Sequence, residues 1–298
     1  MHEIELAGGM TRWQEYGPDA SAGPDDSAGT DAAASGTVIA VHGFRGDHHG
    51  LEPVVERLAG RRVIMPDLPG FGASDAFTDR AHDIDGYARW LGEFTRAVAP
   101  ADPLTLLGHS FGSIIVAAAV AERLAEASDL ILINPIGAPA LKGPKAIGTG
   151  AAIFYYWLGR SLPERAGNAL LRNHGIVRGM SVMMATTHDP ALRRWIHGQH
   201  DAYFSLFADR SSLLESFRAS VSHDVSEYAA RIPLPTLLVA AAQDQITPLA
   251  AERRLAALFP AAQLEVIDGV GHLIHYEKPA EAAGLIEAFL AERAARRP

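Results

Sequence analysis

A serine between two glycines, a histidine in a glycine-rich turn and an aspartate closing an apolar run are the residues here that could support nucleophilic chemistry. Gly108-His109-Ser110-Phe111-Gly112 has the form G-x-S-x-G, set between the apolar run Leu104–Leu107 and a helical stretch that begins at Phe111. A strand that turns at once into a helix holds its corner residue in a strained conformation, and glycines two positions to either side keep side chains out of the bend. The Ser110 hydroxyl then stands at the carboxyl edge of a sheet, beside a helix N-terminus whose free amides favour developing negative charge.

A serine hydroxyl is a weak nucleophile until a base takes its proton. The chain has 13 histidines, so position must choose among them. His272, in Gly269-Val270-Gly271-His272, follows the run Gln263–Ile267 and precedes the last helical stretch, which brings it to the same edge as Ser110. His48 and His49 fall in a loop, His82 opens a helix, and His275 reads as a packing or surface residue. The base needs a carboxylate to fix its tautomer and balance its charge. Asp244 follows the run Thr236–Ala241 at that edge; Asp268 sits at the end of the base's own strand, where the turn aims it away. Donors for an oxyanion are the backbone amides of Phe111 and of Phe44, the latter in the turn His42-Gly43-Phe44-Arg45-Gly46, where glycines let the amide face the site. His42 reads as hydrogen-bonding across this turn. Arg45 has two readings, a holder of a substrate carboxylate and a solvent-facing cation.

The elements that must carry these groups alternate. Thr37–Val41, Arg62–Met65, Leu104–Leu107, Leu130–Ile133, Thr236–Ala241 and Gln263–Ile267 read as strands buried on both faces. Helical spacing occupies Leu51–Ala59, Ile84–Val98, Phe111–Ala127, Leu249–Phe259 and Ala280–Ala295. Strand alternating with helix predicts an α/β fold with a mostly parallel sheet covered on both faces. Glu3–Leu6 and Arg12–Tyr16 are expected to pair as an antiparallel edge. From 135 to 232 the alternation fails, and this stretch is expected to form an inserted helical cap between core segments 1–134 and 233–298. Its Tyr156 and Met183 are candidate pocket residues beside Arg45, because large adaptable side chains suit an apolar substrate. Residues 19–36, small and polar throughout, are expected to be a mobile loop.

Five motifs in order, HGFRG (42–46), PDLPGFGASD (66–75), GHSFGS (108–113), DQITP (244–248) and GHLIHYEKP (271–279), resemble those of the α/β-hydrolase superfamily, over about Arg12 to Phe289. The resemblance implies an eight-stranded, mostly parallel sheet, a helical lid, no cofactor, and oxyanion donation by Phe44 and Phe111. Departures narrow the subfamily. Leu273 stands where carbon–carbon hydrolases of ring-fission products usually have tryptophan, and Ser110 stands where epoxide hydrolases and haloalkane dehalogenases have aspartate. The HGF turn is similar to that of the menaquinone-pathway enzyme that eliminates pyruvate.

Composition sets the bounds. The 298 residues include no cysteine, which excludes disulfides, thiolate metal sites and a cysteine nucleophile. A net charge of −9 with scattered basic residues offers no footprint for nucleic acid or an anionic membrane. Met1–Leu6 lacks the basic and apolar regions of a secretory signal, and a cytoplasmic protein is expected. Asp47-His48-His49 and the Asp83/Asp85 pair lack a second cluster at ligand spacing, so no metal centre is expected. The reading is a serine hydrolase acting on a small-molecule carboxylic ester. The alternatives are a carbon–carbon hydrolase or lyase using the same three residues, and a non-catalytic ligand-binding protein. Oligomeric state is not legible.

Overall fold

Alternate residues of each central strand belong to two different apolar layers, and this period of two decides the architecture. The computed structural model describes residues 1–17, 36–58, 60–99, 104–138 and 146–296. The expected loop at 19–36 lies, apart from Gly36, outside them.

Eight strands form one sheet: β1 (His2–Leu6), β2 (Gly9–Tyr16), β3 (Thr37–Val41), β4 (Arg62–Pro66), β5 (Leu104–His109), β6 (Asp129–Ile133), β7 (Thr236–Ala241) and β8 (Ala262–Ile267), in spatial order β1-β2-β4-β3-β5-β6-β7-β8. β1 and β2 pair antiparallel, as expected, and β2 joins β4 antiparallel; the other pairings are parallel. Ile39, Val41, Ile64, Leu106 and Leu132 point into one layer, and Val38, Ala40, Val63, Leu107 and Ile133 into the other. The helices that follow are α1 (Glu52–Val55), α2 (Ile84–Val98) and α3 (Phe111–Ala121). Beyond β6 come α4 (Ala146–Ser161), α5 (Glu164–Leu171), α6 (His174–Met184), α7 (Pro190–Tyr203) and α8 (Arg210–Ser222). The chain ends with α9 (Leu249–Ala256), α10 (Ile274–Glu277) and α11 (Pro279–Ala295). α2, α3 and α9 fill the first layer, and α1, α10 and α11 fill the second. Both faces are therefore covered, which is why the central strands carry almost no polar residue.

Three sequence expectations need correction. β8 is an edge strand with most of its residues exposed or half-exposed, not a strand buried on both faces, because no strand among the described residues pairs beyond it. The helix after β3 is a single turn, Glu52–Val55, rather than one reaching residue 59, and α3 stops at Ala121, where Arg123 takes a left-handed φ of 56°. Among the described residues, no helix is long and apolar enough to cross a membrane.

Candidate active site

Ser110 sits at the corner between β5 and α3 with φ 52° and ψ −116°, a region that a residue with a Cβ enters only under constraint. The constraint is crowding. A Cβ on Gly108 would come within 2.6 Å of the Gly112 carbonyl oxygen, and one on Gly112 within 2.3 Å of the Val41 carbonyl oxygen. Only glycine fits at either place, so the two glycines press the corner between β3 and α3 and leave the serine side chain projecting.

The ends of β7 and β8 bring the other two groups to it. His272 Nε2 lies 2.9 Å from Ser110 Oγ, and its Nδ1 lies 2.8 Å from Asp244 Oδ2. Asp244 is 5% exposed and His272 6%, so the relay is shielded from water while Ser110 stays partly accessible. The other Asp244 oxygen accepts backbone N–H bonds from Ile246 at 2.7 Å and Thr247 at 3.0 Å. Burial alone would raise the Asp244 carboxyl, but the His272 ring and these amides outweigh it and hold the group below its usual range, as a carboxylate. Asp268, the nearer acid in sequence, is exposed.

The turn after β3 lies against the serine: a Cβ on Gly43 would stand 3.3 Å from that of Ser110. His42 shapes the turn. Its Nε2 accepts the Leu68 N–H at 2.9 Å, which leaves Nδ1 to donate to the Gly43 carbonyl at 2.8 Å. Neither the Phe44 nor the Phe111 backbone N–H has a hydrogen-bond partner among the described residues. Two free amides beside a relay of this kind are suited to receiving negative charge on a carbonyl oxygen.

The remaining candidates differ in exposure. Arg45 is not solvent-facing: it is 3% exposed, and its guanidinium bonds to the hydroxyl of Tyr156, itself 5% exposed. Met183 is 66% exposed and faces away, because α6 buries Val177 and Ser181 on its other side. Asp47, His48 and His49 bring one ligand atom each within 4.8 Å of one another, yet their Nδ1 atoms are already bonded, His48 to Asp67 at 2.8 Å and His49 to Asp47 at 3.1 Å.

Two supports escaped the sequence reading. Asn134, at the end of β6 with φ 43°, donates its side-chain amide to Asp244 Oδ2 at 3.0 Å and to the Gly271 carbonyl at 3.3 Å, tying the acid to the histidine loop. From the segment after α6, Thr186 Oγ1 accepts the Gly271 N–H at 3.1 Å and donates to Glu277 at 2.6 Å. Asn134 was findable by the rule that a polar residue ending a central strand arrives at this edge; Thr186 carries no such signal.

A family match spans residues 32–279 and is to the family described as serine aminopeptidase, S33. The chain belongs to this S33 family. It is an α/β-fold hydrolase. This S33-family chain is 24% identical over 259 residues to Lipase 3 of Moraxella sp. (strain TA144), covering 85% of this chain and 76% of that protein. It is 27% identical over 237 residues to the 2-hydroxymuconate semialdehyde hydrolase of Pseudomonas putida, covering 78% of each. Its backbone is similar to that of an enol-lactonase from Burkholderia xenovorans LB400, with a TM-score of 0.75 at 16% identity, over 97% of this chain and all of that one.

Three buried groups of this hydrolase govern its response to pH. Burial, with the neighbouring His272 charge, pushes the His109 imidazole down to about 3, and burial likewise pushes His200 to about 3, helped by His197 and Arg178. Unfolded, each takes its proton near 6.5, so between these values the unfolded chain binds more protons. Stability is therefore lost as pH falls through that window. His200→Gln is expected to resist urea progressively better, relative to the parent chain, from pH 6.5 down to pH 4; a constant difference would contradict this. Glu252 runs the other way. Burial, then the charge of Asp244, raises its carboxyl to about 9, and neither of its oxygens has a hydrogen-bond partner among the described residues. A raised carboxyl favours the fold below about 4.5 and costs stability as pH rises towards 9. The melting temperature of Glu252→Gln relative to the parent should thus climb between pH 5 and pH 8.5.

Proposed function

We propose that this protein is a serine hydrolase that cleaves a small or medium carboxylic ester through an acyl-enzyme on Ser110. The observation that carries the reading is the unbroken chain of contacts from Ser110 Oγ to His272 Nε2 and from His272 Nδ1 to Asp244, at 2.9 and 2.8 Å. Ser110 Oγ attacks the ester carbonyl while His272 Nε2 takes its proton, and Asp244 stabilises the imidazolium that results. The carbonyl oxygen becomes an oxyanion held by the Phe44 and Phe111 N–H groups. Collapse expels the alcohol with the proton from His272. Water then gives a proton to His272 and its oxygen to the acyl carbon, which releases the acid and restores Ser110. No metal or cofactor is called on. The helices between 135 and 232 are read as a cap over the small-molecule site.

A second reading, hydrolysis of a carbon–carbon bond by the same residues, draws support from the similarity to the 2-hydroxymuconate semialdehyde hydrolase, although Leu273 replaces the usual tryptophan. Pre-steady-state kinetics separate the two. With p-nitrophenyl esters of graded acyl length, the ester reading expects a burst of one p-nitrophenol per enzyme, followed by slower turnover. Absence of hydrolysis across the ester panel, with turnover of a vinylogous 1,5-diketone, would favour the second.

A further inference from the structure

Arg45 is a buried cation that no carboxylate pairs with among the described residues. Its backbone has a left-handed φ of 63°, unusual for a residue with a side chain. Its guanidinium reaches three separate helices: Nε donates to the Phe204 carbonyl at 2.9 Å, Nη2 to the Leu171 carbonyl at 2.7 Å, and Nη1 to the Tyr156 hydroxyl at 3.1 Å. Leu171 is the last residue of α5 and Phe204 caps the end of α7. The unpaired carbonyls at a helix C-terminus carry partial negative charge, and two such ends here meet one cation. They do the work of a counter-ion without a proton to titrate, which accounts for a buried charge that no carboxylate pairs with among the described residues. The ring of Phe207 lies 5.6 Å from the guanidinium carbon.

What the contact fixes follows from where Arg45 sits. It adjoins Phe44, whose N–H has no partner among the described residues and whose ring is held edge-on by Phe71, Phe111 and Tyr156 at 5.8, 6.2 and 5.9 Å. We propose that Arg45 is a positioning residue for the oxyanion site: seated on the ends of α5 and α7, it locks the 42–46 turn so that the Phe44 N–H points at the developing oxyanion. The proposal rests on the ester-hydrolase reading and on Phe44 as a donor. An aimed amide acts on the transition state and hardly on the bound ester, so loss of the lock lowers kcat and spares KM. An ammonium cannot reproduce the planar fork that meets two carbonyls and a hydroxyl at once.

The test compares the parent enzyme with Arg45→Lys, Tyr156→Phe and the double variant. Each is assayed on p-nitrophenyl butyrate and on the anionic p-nitrophenyl hemisuccinate, with folding followed by near-UV circular dichroism and Ser110 labelling by a fluorophosphonate. Arg45→Lys should lose roughly 10–10² in kcat on both esters with KM changed less than about twofold. Tyr156→Phe should lose kcat about twofold to fivefold, and the double variant should be no worse than Arg45→Lys. Unchanged kcat in folded Arg45→Lys overturns the proposal. So does a KM rise confined to the hemisuccinate, which would make Arg45 a carboxylate receptor. If Arg45→Lys does not fold, Tyr156→Phe decides alone, and unchanged kcat there overturns it. A parent enzyme that neither hydrolyses esters nor labels at Ser110 overturns the ester reading itself, a result distinguishable because it appears before any substitution.

Discussion

Ser110→Ala is expected to lower kcat on a short p-nitrophenyl ester by about 10⁵–10⁶-fold while the protein stays folded. The substitution deletes one atom and leaves the corner intact. Alanine keeps the Cβ that stands against Gly43, and the Ser110 backbone N–H keeps its bond to the Ile133 carbonyl at 3.2 Å. What is lost is the atom that His272 Nε2 reaches. The free amides of Phe44 and Phe111 remain, so a residual acceleration of about 10³ over water is expected from the oxyanion site alone. Steady-state kinetics on protein purified free of host esterases would check this. A variant retaining a tenth of the activity would reject the nucleophile.

Asp244→Asn is expected to cost about 10⁴ in kcat, with little change in the fold. The direction of its amide is dictated by the surroundings. Oδ1 accepts the Ile246 and Thr247 N–H groups, so an asparagine must keep its oxygen there. Its NH₂ then faces His272 Nδ1 and also the Asn134 amide, which donates to Oδ2 in the parent. Donor meeting donor forces His272 into the tautomer that carries its proton on Nε2, where it can no longer accept one from Ser110. Asp268→Asn, on an exposed side chain outside this network, should leave kcat within about twofold. Equal losses in the two variants, or a loss under tenfold in Asp244→Asn, would contradict the assignment of the acid.

Much of this was legible before any coordinates because the strands are short, β-branched and buried on both faces. Thr37–Val41, Ile84–Val98 and Thr236–Ala241 fall where periodicity puts their ends. Once the strand order is parallel, every strand end delivers its next residue to one edge, which is why Ser110, Asp244 and His272 could be grouped from positions up to 162 residues apart. The rest depends on contacts that periodicity does not encode. Arg45 looked like any loop arginine, since its partners are backbone carbonyls of α5 and α7 that leave no mark on side-chain type. Met183 has helical spacing that fits either face, and α6 buries Val177 and Ser181 while leaving Met183 exposed. β8 carries Gln263 and Glu265 among its apolar residues, the polar content of an edge strand, which a reading by apolar run alone passes over.

Peptide mapping by mass spectrometry, after brief exposure to an alkyl fluorophosphonate, tests most directly whether the hydroxyl at 110 is the activated nucleophile. The predicted result is one adduct per chain, carried by the peptide containing Gly108 to Gly112 and strongly reduced in His272→Ala. A folded protein that stays unlabelled at Ser110, or that labels there equally well without the imidazole, would contradict it.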